Sequence, residues 1–111
     1  MKNLNLIVLR CRDIAVTAGF YSVLGLKFER HKHGSGPGHY ASEDESGVFE
    51  LYPADVPDNV GLGFRSAGLD ELANRLRDLG MSPSAPKDNP WGRSFVARDP
   101  DGRRVEIVQQ V

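Results

Sequence analysis

Apolar and polar positions change their period along this chain in an order that occurs twice. Leu4–Arg10 is a strand-like run, and the segment near Asp13–Leu24 carries apolar residues at helical spacing before Gly25 stops it. Within it Ile14, Tyr21 and Leu24 lie near one face, with Phe20 and Val23 beside them, and Asp13 is the candidate N-cap. Strand-like runs follow at Lys27–Lys32, His39–Ser42 and Gly47–Tyr52. They are split by the loop Gly34–Gly38 and by the polar turn Glu43–Gly47. The second half repeats the order with a strand at Val60–Arg65 and a helix near Leu69–Leu79. There Leu69, Leu72, Ala73, Leu76 and Leu79 form one apolar stripe, which predicts that Leu72 and Leu76 are buried. Gly80 ends that helix, a weaker strand signal covers Ser82–Ala85, and strands are predicted at Ser94–Arg98 and Arg103–Gln109 around the turn Asp99-Pro100-Asp101-Gly102.

The repetition extends to residues. Leu24-Gly25 returns as Leu79-Gly80 and Arg10 returns as Arg65, both at an offset of 55, and Glu50 returns as Glu106 at an offset of 56. Each half therefore reads βαβββ, with modules at residues 1–53 and 60–111 and a proline-marked linker at 54–59. A single four-stranded unit with one helix cannot bury both its sheet face and its helix, so the two are expected to pair in one α+β domain.

Composition narrows the function classes. With 111 residues, 40% hydrophobic and 26% charged, the chain can form a core and is not globally disordered. A formal net charge of −1 supplies no whole-protein field for nucleic acid or an anionic membrane. No apolar run approaches the length of a membrane helix, and Leu6–Leu9 is too short, and too soon followed by Arg10, for a signal peptide. The lone Cys11 forms no intrachain disulfide, fits a cytoplasmic setting, and is expected to act as a small core-facing hydrophobe.

Several stretches together resemble the vicinal-oxygen-chelate superfamily, which contains glyoxalase I, bleomycin-resistance proteins and extradiol dioxygenases. They are Leu9-Arg10-Cys11-Arg12-Asp13 with Phe20-Tyr21-Ser22-Val23-Leu24-Gly25-Leu26, then Val48–Tyr52, then Trp91–Phe95 with Asp99–Glu106. The resemblance spans nearly the whole chain. It implies two βαβββ modules forming a curved, incomplete barrel, a ligand on its concave face, and a homodimer. In metal-dependent members, ligands come from the first and last strands of each module. Carried over, the last-strand carboxylates are Glu50 and Glu106, whereas the first-strand positions fall on Leu6 and Gly61, which cannot ligate. The four-ligand centre is therefore expected to be missing, with no cofactor. If a divalent metal binds at all, Glu50 and Glu106 are its candidate ligands.

The resulting expectation is a small-molecule-binding protein, in one version sequestering an antibiotic or metabolite. Its candidate ligand-binding residues are Glu50, Glu106, Trp91, Tyr40 and Tyr52. Strand alternation turns Glu50 away from Phe49 and Leu51, and Glu106 away from Val105 and Ile107. The carboxylates face the cavity if those neighbours pack under the helices. The rival expectation is a metal-dependent lyase, isomerase or dioxygenase with unconventional ligands such as His31 or His39. His31 and His33 share the i, i+2 spacing that metal sites use, although a solvated strand edge explains them more simply. The Gly34–Gly38 loop is either a flap over a cavity or a plain hairpin turn, and Glu43-Asp44-Glu45 is a cation-attracting run or a solvated turn.

Overall fold

A computed structural model describes residues 2–111, with contacts that divide the chain into two units meeting between Asp58 and Asn59. In the first, β1 (Leu6–Cys11) leads into α1 (Ile14–Val23), followed by β2 (Glu29–His31), β3 (His39–Asp44) and β4 (Gly47–Pro53). In the second, β5 (Leu62–Ser66) leads into α2 (Leu69–Asp78), followed by β6 (Lys87–Asn89), β7 (Gly92–Arg98) and β8 (Arg104–Gln109). The sheets have the orders β1-β4-β3-β2 and β5-β8-β7-β6, each open at both edges, with the first and last strands of each unit parallel. The fold class is α+β with a βαβββ order in each unit, as the repeat implies.

Local chemistry explains where the helices begin and end. The Asp13 carboxylate accepts hydrogen bonds from the Ala15 and Val16 N–H groups at 3.0 and 3.2 Å, capping α1. Gly25 and Gly80 follow the two helices with φ of +107° and +84°, a left-handed turn that any side chain would strain. α2 begins at Gly68, which has no capping side chain. Its first N–H, on Leu69, instead donates to the Gln109 side-chain oxygen at 3.0 Å, so the last strand caps the helix beside it. Asp70 and Glu71 in its first turn and Arg75 and Arg77 in its last complement the helix dipole. The Arg93 guanidinium donates to both Asp70 oxygens at 2.9 and 3.0 Å and to Asp88 at 3.2 Å, and this hold keeps the Asp70 carboxyl below its ordinary range.

Each sheet buries one face under its helix. In the first unit Leu9, Cys11, Phe20, Tyr21 and Leu51 are buried, and the Tyr21 and Phe49 rings meet at 5.0 Å. Cys11 is a core residue, as expected. In the second unit Leu69, Ala73 and Leu76 pack with Phe95, Ala97, Val105 and Ile107. The predicted stripe is narrower at its edges: Leu72 is half-buried, and Leu79 is 55% exposed because the helix has already turned into its cap there.

One strand expectation is corrected. Ser82–Ala85 is not a strand, and the pairing segment is Lys87–Asn89. Pro83 inside the stretch and Pro86 directly after it lack backbone donors, which interrupts a ladder there. What remains is a single exchange, in which the Ser84 N–H donates to the Val96 carbonyl at 2.8 Å and the Val96 N–H donates to the Ser84 hydroxyl at 2.9 Å. Among the described residues no helix is long and apolar enough to cross a membrane.

Candidate functional site

The face of the first sheet turned away from α1 carries the chemistry. Register fixes which residues share it: Ala41 and Val8 flank Glu50, Arg10 pairs with Tyr52, and His31 pairs with His39. Leu51 and its partners Leu9 and Tyr40 take the opposite face, where Leu9 and Leu51 are buried. A cavity of about 580 Å³ opens on the polar face, with Glu50 and His39 in its wall beside His31, His33, Ala41 and Val48. Lys27, Glu29 and Glu43 complete its charged lining.

His39 is the best-fixed group there, at 2% exposure. Its Nε2 lies 3.6 Å from a Glu50 carboxylate oxygen, and its Nδ1 lies 3.4 Å from the Pro37 carbonyl. The Tyr52 ring stacks on it at 4.3 Å with 9° between planes, and the Arg10 guanidinium sits 5.4 Å from that same ring. His33 and His31 complete a triangle of imidazoles with it, their rings 5.3 and 5.8 Å from His39 and 6.0 Å from each other, at 16° to one another. The β2–β3 connection through Gly34–Gly38 is the hairpin that brings these imidazoles together.

The expected site residues distribute as follows. Glu50 and Tyr52 share the cavity-side face of β4, and Glu50 lines the cavity itself. Tyr40 lies on the other face, its ring edge-on to Phe28 at 6.4 Å with the Arg30 guanidinium 5.9 Å from it. In the second unit Glu106 is half-buried, turned away from buried Val105 and Ile107, and flanked by Gly63 and Val96. Trp91 is 62% exposed in the two-residue turn joining β6 and β7, roughly 16 Å along the strand from the level of Glu106 at about 3.3 Å per residue. The acidic run divides: Glu43 lines the cavity, while Asp44 closes a turn by accepting from the Ser46 N–H and hydroxyl at 2.8 and 2.6 Å. These bonds hold the Asp44 carboxyl below its ordinary range.

The metal centre of the metal-dependent relatives does not fit these residues. Val8 faces Glu50 from the first strand with Leu6 next on that face, and Gly63 faces Glu106. None of these side chains has a donor atom. Among the described residues, no three His, Cys, Asp or Glu side chains are arranged to hold a metal ion. The sequence reading undervalued His39. The signal was available: pairing the strands across the glycine loop sets His31 opposite His39, on the same face as Glu50.

The model of the Glyoxalase/Bleomycin resistance protein/Dioxygenase superfamily matches residues 3–107. The chain belongs to this superfamily. No curated protein matches it in sequence. Solved structures with the same fold include TnmS3, described as an antibiotic binding protein, from Streptomyces sp. CB03234. It has 22% identity and a TM-score of 0.79, over 100% of this chain and 98% of that one. A protein described as a possible glyoxalase from Bacillus cereus has 18% identity and a TM-score of 0.76, over 97% and 99% of the two chains. A virulence protein from Salmonella typhimurium has 23% identity and a TM-score of 0.72, over 100% and 98%. At these identities the likeness establishes the superfamily fold on this chain.

Proposed function

We propose that this superfamily member is a binding protein for a small organic molecule, working without the four-ligand metal centre and sequestering an antibiotic or metabolite. The observation that carries this reading is the cavity on the polar face of the first sheet. It is large enough for a drug-sized ligand and has a half-buried carboxylate, Glu50, in its wall. The side chains facing Glu50 and Glu106 from the first strands support it, because they are apolar or absent. TnmS3, with the same fold, is an antibiotic binding protein. Glu106 and Trp91 remain candidate ligand-binding residues of the second unit.

The test joins elemental analysis of untagged protein to titration with Zn²⁺, Mn²⁺ and Fe²⁺ and to a ligand screen read by Trp91 fluorescence. The expected result is no stoichiometric metal, and an organic ligand whose affinity falls by about 1–3 kcal/mol on Glu50→Gln or Trp91→Ala. One equivalent of tightly held metal, lost on Glu50→Gln or Glu106→Gln, would overturn this reading in favour of a metal-dependent lyase, isomerase or dioxygenase.

A homodimer is part of the same proposal, since both sheets leave edge strands that a second copy can cover. Light scattering at micromolar concentration should give twice the 12.2 kDa chain mass. A single-chain mass at every concentration removes the dimer.

A further inference from the structure

Resting on that reading of the cavity, we propose that its ligand is a planar aromatic cation carrying N–H donors. Such a ligand lies on the His31–His33 imidazole ledge and donates to the His39–Glu50 pair.

Three observations converge. The first is the approach of a buried imidazole nitrogen to a carboxylate oxygen in the cavity wall. A carbonyl oxygen only accepts, so the contact between His39 Nδ1 and the Pro37 carbonyl places the imidazole proton on Nδ1. In that tautomer the lone pair of Nε2 points toward a Glu50 oxygen 3.6 Å away. A donor brought to that point can bond to the Nε2 lone pair and the Glu50 oxygen together. A cationic N–H group is that donor, and its bonds to a carboxylate and an imidazole are of the stronger, charge-assisted kind.

The second observation is charge. One lysine against three glutamates gives the cavity lining a formal −2 with its imidazoles neutral. Glu50 is the carboxylate that matters most, its side chain only 21% exposed, where an ion pair is less screened than on the surface. Arg10 stands on the β1 side of Tyr52, across that ring's strand from His39, and Arg30 turns to the opposite face with Tyr40.

The third is shape. Tyr52 is flanked by Arg10 and His39, so its ring is already covered. His31 and His33 cluster beside His39 with their own rings nearly parallel, and the His31 side chain is 39% exposed. That ledge offers flat π faces to a ring system, and a cation gains most from such faces when partly desolvated.

The experiment compares three tricyclic fluorophores of similar area: proflavine, a cation with N–H donors; acridone, neutral; and 9-anthracenecarboxylate, an anion. Each is titrated into the full chain at about pH 8, where free imidazole is neutral. Proflavine should bind at least about tenfold more tightly than either of the others, a preference of the size one charge-assisted contact supplies. Glu50→Gln, nearly isosteric, should bring proflavine down to the acridone level while acridone itself is unchanged, and His33→Ala should weaken both. Circular dichroism melts confirm that the variants fold. If acridone or the anion binds as well as proflavine, or if Glu50→Gln keeps the preference, the cation assignment is overturned while the cavity remains a binding site. If none of the three binds, the binding-protein reading falls with it.

Discussion

Arg103→Leu should destabilise the protein by roughly 3–5 kcal/mol, the cost of leaving a buried charge uncompensated. Arg103 is fully buried, its Nη1 donating to Asp99 at 2.9 Å and to Asp101 at 3.4 Å, and both carboxylates are almost completely enclosed. The arrangement is more than an ion pair. One Asp99 oxygen also accepts from the backbone N–H groups of Asp101 and Arg103 at 2.9 and 3.1 Å. The Gly102 N–H closes back on the Asp99 carbonyl at 2.9 Å, and the Asp99 N–H donates to the Arg103 carbonyl at 3.1 Å. The guanidinium thus offsets charge on the two carboxylates that shape the turn between β7 and β8. Removing it takes a buried cation from both, whereas Asp99→Asn keeps an acceptor oxygen for the backbone and removes one charge. The order Arg103→Leu below Asp99→Asn below wild type should appear in urea melts at neutral pH. A domain of this size has about 5–15 kcal/mol in total, so the leucine variant should lie near its unfolding threshold. A loss below about 1 kcal/mol would show that the enclosed charges contribute no more than a surface ion pair does.

That cluster marks the boundary of what the residues announce by themselves. Asp99-Pro100-Asp101-Gly102 is legible as a turn, because each residue type favours one. That the following arginine is fully buried is not legible, because arginine is ordinarily exposed and only the tertiary enclosure reverses this. The helices were legible from caps and stops: Asp13, Gly25 and Gly80 act through local backbone chemistry that any context preserves. The Ser82–Ala85 expectation failed for an equally local reason, the missing N–H groups of Pro83 and Pro86, which a count of donors would have exposed. The site divides in the same way. Alternation along β4 is enough to separate Glu50 from Phe49 and Leu51. Tyr40, by contrast, needs the β3–β4 register, which pairs it with Leu51 and so turns it to the helix side. The imidazole cluster needs the β2–β3 register, which no single segment contains.

Leu76→Ala should cost on the order of 2–5 kcal/mol, as large-to-small changes in closed cores do. Leu76 is fully buried on α2, one turn from Ala73, which is itself fully buried, and two turns from Leu69. The surrounding Phe95, Val105 and Ile107 sit on paired strands whose backbone hydrogen bonds resist movement, so the space left by three lost carbons will not collapse completely. The control is the residue that caps the same helix, Leu79, which is 55% exposed. Leu79→Ala removes the same atoms, alanine suits a helix end at least as well, and its effect should stay within about 0.5 kcal/mol. The pair therefore separates burial from helix propensity, because both variants alter one residue of the same apolar stripe. Denaturant melts with a common slope should place the Leu76 variant several kcal/mol below the Leu79 variant. Near-equal midpoints would mean that α2 is held by its Arg93–Asp70 contact and its Gln109 cap more than by its apolar face.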